Sequence, residues 1–157
     1  MKINESELDW TEYDRGDATF RRKQLSDAVD SQQLGCSLYE LPPGNRSWPY
    51  HYHTANEEAL YVLSGAGSVK RESGLEPLQP GDFVTFLADK RGGHRIVNDG
   101  EETLRYLMLS TMNEPDVTIY PESERFGVFV GSPPGGREER SLHGYYEMDD
   151  DVEYWEE

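Results

Sequence analysis

The sequence is poor in lysine, in thiols and in long apolar runs. Lys2, Lys23, Lys70 and Lys90 are its only lysines, and the other positive charges are arginines. A single cysteine, Cys36, excludes an intramolecular disulfide and reads as a small buried strand residue rather than a reactive thiol. No apolar run approaches the ~20 residues that a membrane-spanning helix requires. The first residues, MKINESELDW, are acidic and lack the apolar core of a signal peptide, so the expected compartment is the cytoplasm. The glycine-bearing stretch Gly131-Ser132-Pro133-Pro134-Gly135-Gly136 is followed by no Lys-Ser or Lys-Thr pair, which excludes a phosphate-binding loop of that type.

Acid is abundant instead. Thirty-one Asp and Glu stand against 15 Lys and Arg, giving a formal net charge of -16 over 157 residues. Nucleic acid and anionic lipid both need a cationic face, so neither is an expected partner. Self-repulsion of this size destabilises a compact state unless salt screens it. An acidic, lysine-poor surface therefore points to a halophile with a salt-rich cytoplasm; an ordinary acidic protein with acidic tails is the plainer alternative.

From Leu34 onward, short apolar stretches alternate with turn signals: LGCSLYEL then PPGN, ALYVL then SGAG, DFVTFLA then DKRGG, LRYLMLS then TMNEPD. Each has strand length, and none carries a long helical period. Such spacing implies an all-β sandwich or barrel. The expected organisation is an N-terminal arm over residues 1–30 that packs loosely or adds an edge strand. A barrel follows over 31–131, then an acidic C-terminal tail over 132–157.

The chemistry concentrates on histidine. Residues i and i+2 of a strand share a face, so His51 and His53 project two imidazoles together. Glu58 opens the next apolar stretch, and a hairpin would return it beside them. His94 lies far off in sequence, yet a barrel brings it to the same interior point. Three neutral imidazoles and a carboxylate suit one divalent transition metal: Mn, Fe, Co, Ni, Cu or Zn. Calcium and magnesium are disfavoured because the set is not all oxygen. Each element alone has a bland reading: surface histidines, a solvated Glu57-Glu58 pair, a loop His94. Three of the four histidines on one pattern outweigh it; the fourth, His143, falls in the polar tail and reads as solvated.

The spacing Gly44-(X)6-His51-X-His53-(X)4-Glu58-(X)6-Gly65 resembles the first sequence motif of the cupins. Gly81-Asp82-Phe83-Val84-Thr85-Phe86 followed by His94-(X)3-Asn98 resembles the second. With the flanking strands the likeness reaches roughly half the chain. It departs from the pattern by one extra residue before His51 and by the charged loop Ala88-Asp89-Lys90-Arg91-Gly92-Gly93 before His94. The resemblance implies a double-stranded β-helix, or jelly-roll barrel, in a small single-domain cupin. It implies that His51, His53, Glu58 and His94 bind the metal, that Gly65, Gly81 and Asn98 occupy turns, and that two copies pair as a homodimer.

A pocket around such a metal should be lined by residues sharing the ligands' face, namely Leu60, Val62 and Ile96, with Arg46, Tyr106 and Cys36 as polar contributors. Four protein ligands leave room for a small-molecule substrate. The resulting readings are a metal-dependent enzyme (a dioxygenase or a sugar-type isomerase) and a non-catalytic barrel that holds or senses a small molecule or metal. A purely structural ion ranks last, because a chain of this length can fold without one.

Overall fold

A computed structural model of the chain describes residues 1–136 and 139–155. The expected acidic tail over 132–157 lies partly outside these residues. The strands run β1 (Thr11–Arg15), β2 (Ala18–Gln24), β3 (Leu34–Leu41), β4 (Tyr52–His53), β5 (Glu58–Ser64), β6 (Gly67–Arg71) and β7 (Gly74–Leu78). They continue through β8 (Phe83–Phe86), β9 (Arg95–Val97), β10 (Leu104–Thr111), β11 (Asp116–Tyr120), β12 (Arg125–Val130) and β13 (Leu142–Glu147). Among the described residues, helical structure is limited to short 3-10 turns. None of the described helices is long and apolar enough to cross a membrane.

The strands form three antiparallel sheets: β1-β2-β3-β10-β5-β8, β13-β12-β11-β4 and β7-β6-β9. The sheets are not closed into one continuous hydrogen-bonded barrel; isolated bridges, Arg46 to Val97 and His51 to His94, pair further segments. The segment read as an arm contributes a hairpin, and β2 pairs with β3 from Arg21 opposite Glu40 to Gln24 opposite Ser37. At the far end β13 pairs along the whole of β12, placing His143 opposite Phe129.

Alternation explains the core. Leu41, Leu60, Val62, Val69, Ile96, Leu104 and Tyr106 are all at most 1% exposed and pack with Phe20, Tyr39, Leu78 and Phe86. Tyr39 and Tyr106, cross-strand partners, stack with ring centroids 5.2 Å apart and planes within 2°. Turn chemistry follows the sequence at two glycines. Gly81, at φ +93°, sits in a turn closed by Asp82 N–H to the Gln79 carbonyl, 3.1 Å. Gly65, at φ +79°, lies where a Cβ would stand 2.3 Å from the Thr103 carbonyl oxygen, so backbone approach as well as conformation demands glycine.

Candidate metal centre

Four side chains from three segments converge: His51 and His53 from one extended stretch, Glu58 from β5 and His94 from the residue before β9. His51 lies in the bridge to His94, with backbone hydrogen bonds in both directions between the two residues. His53 ends β4 and Glu58 opens β5. His94 follows the 3-10 turn Lys90–Gly92, which Asp89 caps by accepting from Arg91 N–H at 2.8 Å. The charged loop that departs from the motif therefore forms a capped turn that delivers His94 inward.

Glu58 Oε2 is the centre of the arrangement. It lies 3.4 Å from His53 Nε2, 3.4 Å from His94 Nε2 and 4.0 Å from His51 Nε2. Ligand atoms of His51, His53 and Glu58 lie within 4.8 Å of one another. His94 falls outside that tight trio but reaches the same oxygen. All three histidines are buried. Glu58 Oε2 is buried without a hydrogen-bond partner. An orphaned carboxylate oxygen is costly in a protein interior unless something cationic satisfies it.

The outer nitrogens fix the tautomers. His51 Nδ1 donates to the Pro49 carbonyl at 2.7 Å, and His94 Nδ1 donates to the Gly92 carbonyl at 2.8 Å. A carbonyl can only accept, so each Nδ1 carries the proton and each Nε2 turns a lone pair inward. His53 Nδ1 donates to Asp116 Oδ2 at 2.6 Å. Asp116, with no exposed surface, also accepts from Ala55 N–H at 3.0 Å and Thr118 Oγ1 at 3.1 Å. Phe86 stacks on the His94 ring, centroids 3.7 Å apart. These residues fit a divalent ion: Glu58 is ionised, His51 and His94 turn lone pairs inward, and His53 would shed its Nε2 proton on binding, each ring being held from behind at Nδ1.

The protonation balance without metal is polarised. Burial, then the neighbouring His94 and His53, push the His51 imidazole down to about 3. Burial would also lower His53, but Glu58 and Asp116 on its two sides override it and hold it up at about 10. Burial would raise Glu58, but the His53 contact holds it down at about 2.

A cavity of about 490 Å³ opens from the centre. It lies between the sheet holding β3 and β10 and the sheet holding β11 to β13. Ser37 and Tyr39, Tyr106, Met108 and Ser110, Thr118 and Tyr120, and His143 and Tyr145 line it, each set obeying strand alternation. Of the residues expected from sequence, Tyr106 and Cys36 line this space. Leu60, Val62 and Ile96 do not. They occupy the hydrophobic core, because the face they share with the ligands continues beneath the site. Arg46 does not line the cavity either and pairs with Asp17 at 3.0 Å. The sequence reading missed Asp116 and Tyr120 and treated His143 as a tail residue. His143 is exposed, but β13 docks it at the cavity wall, with its ring 4.8 Å from Phe129.

Residues 37–110 match the family model for the Cupin domain. A solved structure from Acidithiobacillus ferrooxidans, described as "Putative sugar phosphate isomerase", is 31% identical with a TM-score of 0.81, covering 96% of this chain and 92% of that one. A second, a sugar phosphate isomerase from a cupin superfamily of Silicibacter pomeroyi, is 23% identical with a TM-score of 0.79, covering 96% and 94%. A predicted oxalate decarboxylase from Thermotoga maritima is 24% identical with a TM-score of 0.60, covering 71% and 98%. Among functionally curated proteins no sequence match is found. Family model, near-full-length identity and site geometry agree: the chain belongs to the cupin superfamily.

Proposed function

We propose that His51, His53, Glu58 and His94 bind one divalent transition metal, and that the protein uses it to isomerise a small hydroxylated carbonyl compound. One observation carries the reading: a buried Glu58 oxygen that makes no hydrogen bond faces three imidazole Nε2 atoms whose Nδ1 atoms are occupied. The donor set suits Mn, Fe, Co, Ni, Cu or Zn. When bound, the metal supplies Lewis-acid stabilisation of a substrate oxygen. The remaining work falls to the chain. Ser37, Ser110 and Tyr120 offer hydroxyl groups along the wall to hold substrate hydroxyls. His143 is the cavity imidazole outside the centre, the group type that most often moves protons. Isomerisation takes a proton from the carbon beside a carbonyl and returns one to the neighbouring carbon, so it needs no oxidant or co-reactant. The 31% identical relative described as a sugar phosphate isomerase supports this direction.

The three sheets are read as the jelly-roll of the family, with the Arg46 and His51 bridges in support. The acidic, lysine-poor composition supports a salt-rich cytoplasm as the working environment. Exposed Tyr61 and Phe83, register partners on β5 and β8, support pairing of two copies.

A second reading rests on the aromatic wall of Tyr39, Trp48, Tyr106, Tyr120, Phe129 and Tyr145: a barrel that holds a planar ligand without turnover. Metal-loaded protein incubated in D2O with aldoses, ketoses and their phosphates separates the two. Deuterium appearing beside the carbonyl, absent in His51→Ala and reduced in His143→Gln with metal retained, supports isomerisation. No exchange with any of these compounds, together with a copurifying ligand that raises the melting temperature, would leave the binding barrel.

A further inference from the structure

The charge of the cavity is inverted relative to the chain. Acidic residues outnumber Lys and Arg 31 to 15 overall. Among the described residues lining the cavity, Glu58 is the single carboxylate, whereas Arg22, Arg125 and Arg140 all reach it. Two of these arginines, among the described residues, make no ion pair. Arg22 donates from Nε to the Tyr13 hydroxyl at 2.9 Å, and its guanidinium lies 5.4 Å from the Tyr13 and Trp48 ring centroids. Arg140 donates from Nε to the Ser132 carbonyl at 2.8 Å and from Nη2 to the Pro133 carbonyl at 2.9 Å, over the Phe129 ring. Phenol, carbonyl and aromatic partners orient a guanidinium but do not neutralise it. Arg125 differs, being exposed and 3.7 Å from Glu147.

Arg22 and Arg140 come from neighbouring parts of the fold. Gln24, two residues beyond Arg22 on β2, donates from Nε2 to the Gly135 carbonyl at 3.2 Å in the loop that Arg140 pins. Both are partly buried. Partly desolvated cations without an ion pair among the described residues are a cost to the fold in a protein of net charge -16. They are also a receptor for an anion, since guanidinium donors make strong charge-assisted bonds to phosphate and carboxylate.

We propose that Arg22 and Arg140 form the anion-binding end of the cavity and that the ligand is a phosphomonoester of a small hydroxylated molecule. A phosphomonoester carries about -1.5 to -2 charges at neutral pH and so balances two guanidiniums, which one carboxylate does not. The cavity, at about 490 Å³, has the size of a small-molecule site. This inference rests on the preceding reading only in taking the His and Glu cluster as the other end of the ligand.

The test is calorimetric titration at fixed ionic strength with fructose 6-phosphate, fructose, citrate and inorganic phosphate. It is run on metal-loaded and EDTA-stripped protein and on Arg22→Gln, Arg140→Gln and Arg140→Lys. The expected result is that fructose 6-phosphate binds more tightly than fructose. Each Gln variant should lose about tenfold or more of that margin with metal content and melting temperature unchanged, and Arg140→Lys should recover part of it. Inorganic phosphate binding to stripped wild-type protein, weakened in both Gln variants, supports the anion end even where no isomerisation is seen. Equal binding of fructose and its phosphate overturns the proposal, as does a phosphate preference intact in both Gln variants. Citrate binding more tightly than every phosphate probe overturns the phosphomonoester assignment. If a Gln variant does not fold, the wild-type comparison of fructose with its phosphate still decides.

Discussion

His53 Nδ1 donates to Asp116 Oδ2 across 2.6 Å, joining two buried side chains 63 residues apart in sequence. The bond ties β4 to β11 from behind the metal site and sets which His53 nitrogen faces Glu58. Carboxylates in this position raise the basicity of the imidazole and hold its ring. Asp116→Asn keeps the shape and removes the charge. Metal affinity is expected to fall by about tenfold to a hundredfold, read by competition with a chelating dye. Wild-type affinity in this variant would show that His53 does not ligate through this arrangement.

The metal-free protein should have a stability maximum near neutral pH. His51 is held at about 3 against an ordinary value of 6.5, so the unfolded chain takes up a proton that the folded one refuses as pH falls from 6.5 to 3. Glu58, held at about 2 against 4.5, adds a loss as pH falls through that lower window. His53 has the opposite sign. Its value of about 10 lies above 6.5, so its contribution is full below 6.5 and is lost as pH rises toward 10. Linkage therefore predicts lower melting temperatures at about pH 5 and at about pH 9 than at pH 7 in EDTA-treated protein. A profile that keeps rising through alkaline pH would contradict the His53 assignment.

Gly92 controls His94 through its backbone. Its carbonyl receives the His94 Nδ1 proton, and a Cβ there would stand 1.9 Å from the Leu87 carbonyl oxygen. Rigid backbone cannot yield as a side chain would. Gly92→Ala is expected to cost about 1–3 kcal/mol by urea denaturation and to weaken metal binding at the same time. A variant with both properties intact would mean that the turn relaxes without moving His94.

Molar KCl should raise the melting temperature. Screening weakens repulsion among 31 acidic side chains faced by only 15 Lys and Arg. A curve that does not move with KCl would argue against a salt-rich working environment.

The parts of the molecule written in local sequence were the most legible. The alternation of His51 and His53, the return of Glu58 at the head of an apolar stretch and the glycine turns follow from period and turn chemistry within a few residues. The resemblance to the cupin motifs extended that to His94. What the sequence concealed depends on pairing over distance. Nothing beside Asp116 names His53 as its partner. His143 sits in a polar stretch, and only the pairing of β13 with β12 brings it to the cavity. Strand parity put Leu60 and Val62 on the face of Glu58 without distinguishing cavity wall from the core beneath it. That distinction depends on which sheet lies opposite, and here β11 to β13 cover β3 and β10.

Trp48 lines the cavity, donates from Nε1 to the Tyr39 hydroxyl at 3.0 Å and meets the Tyr13 and Phe20 rings edge-on at 4.8 Å. The other two tryptophans, Trp10 and Trp155, lie outside that wall, Trp155 being 86% exposed. Replacing both with phenylalanine leaves a single indole beside the site. The fold thus places an optical gauge of occupancy at the cavity: emission from Trp48 is expected to change as a guest fills the space beside it, with no label.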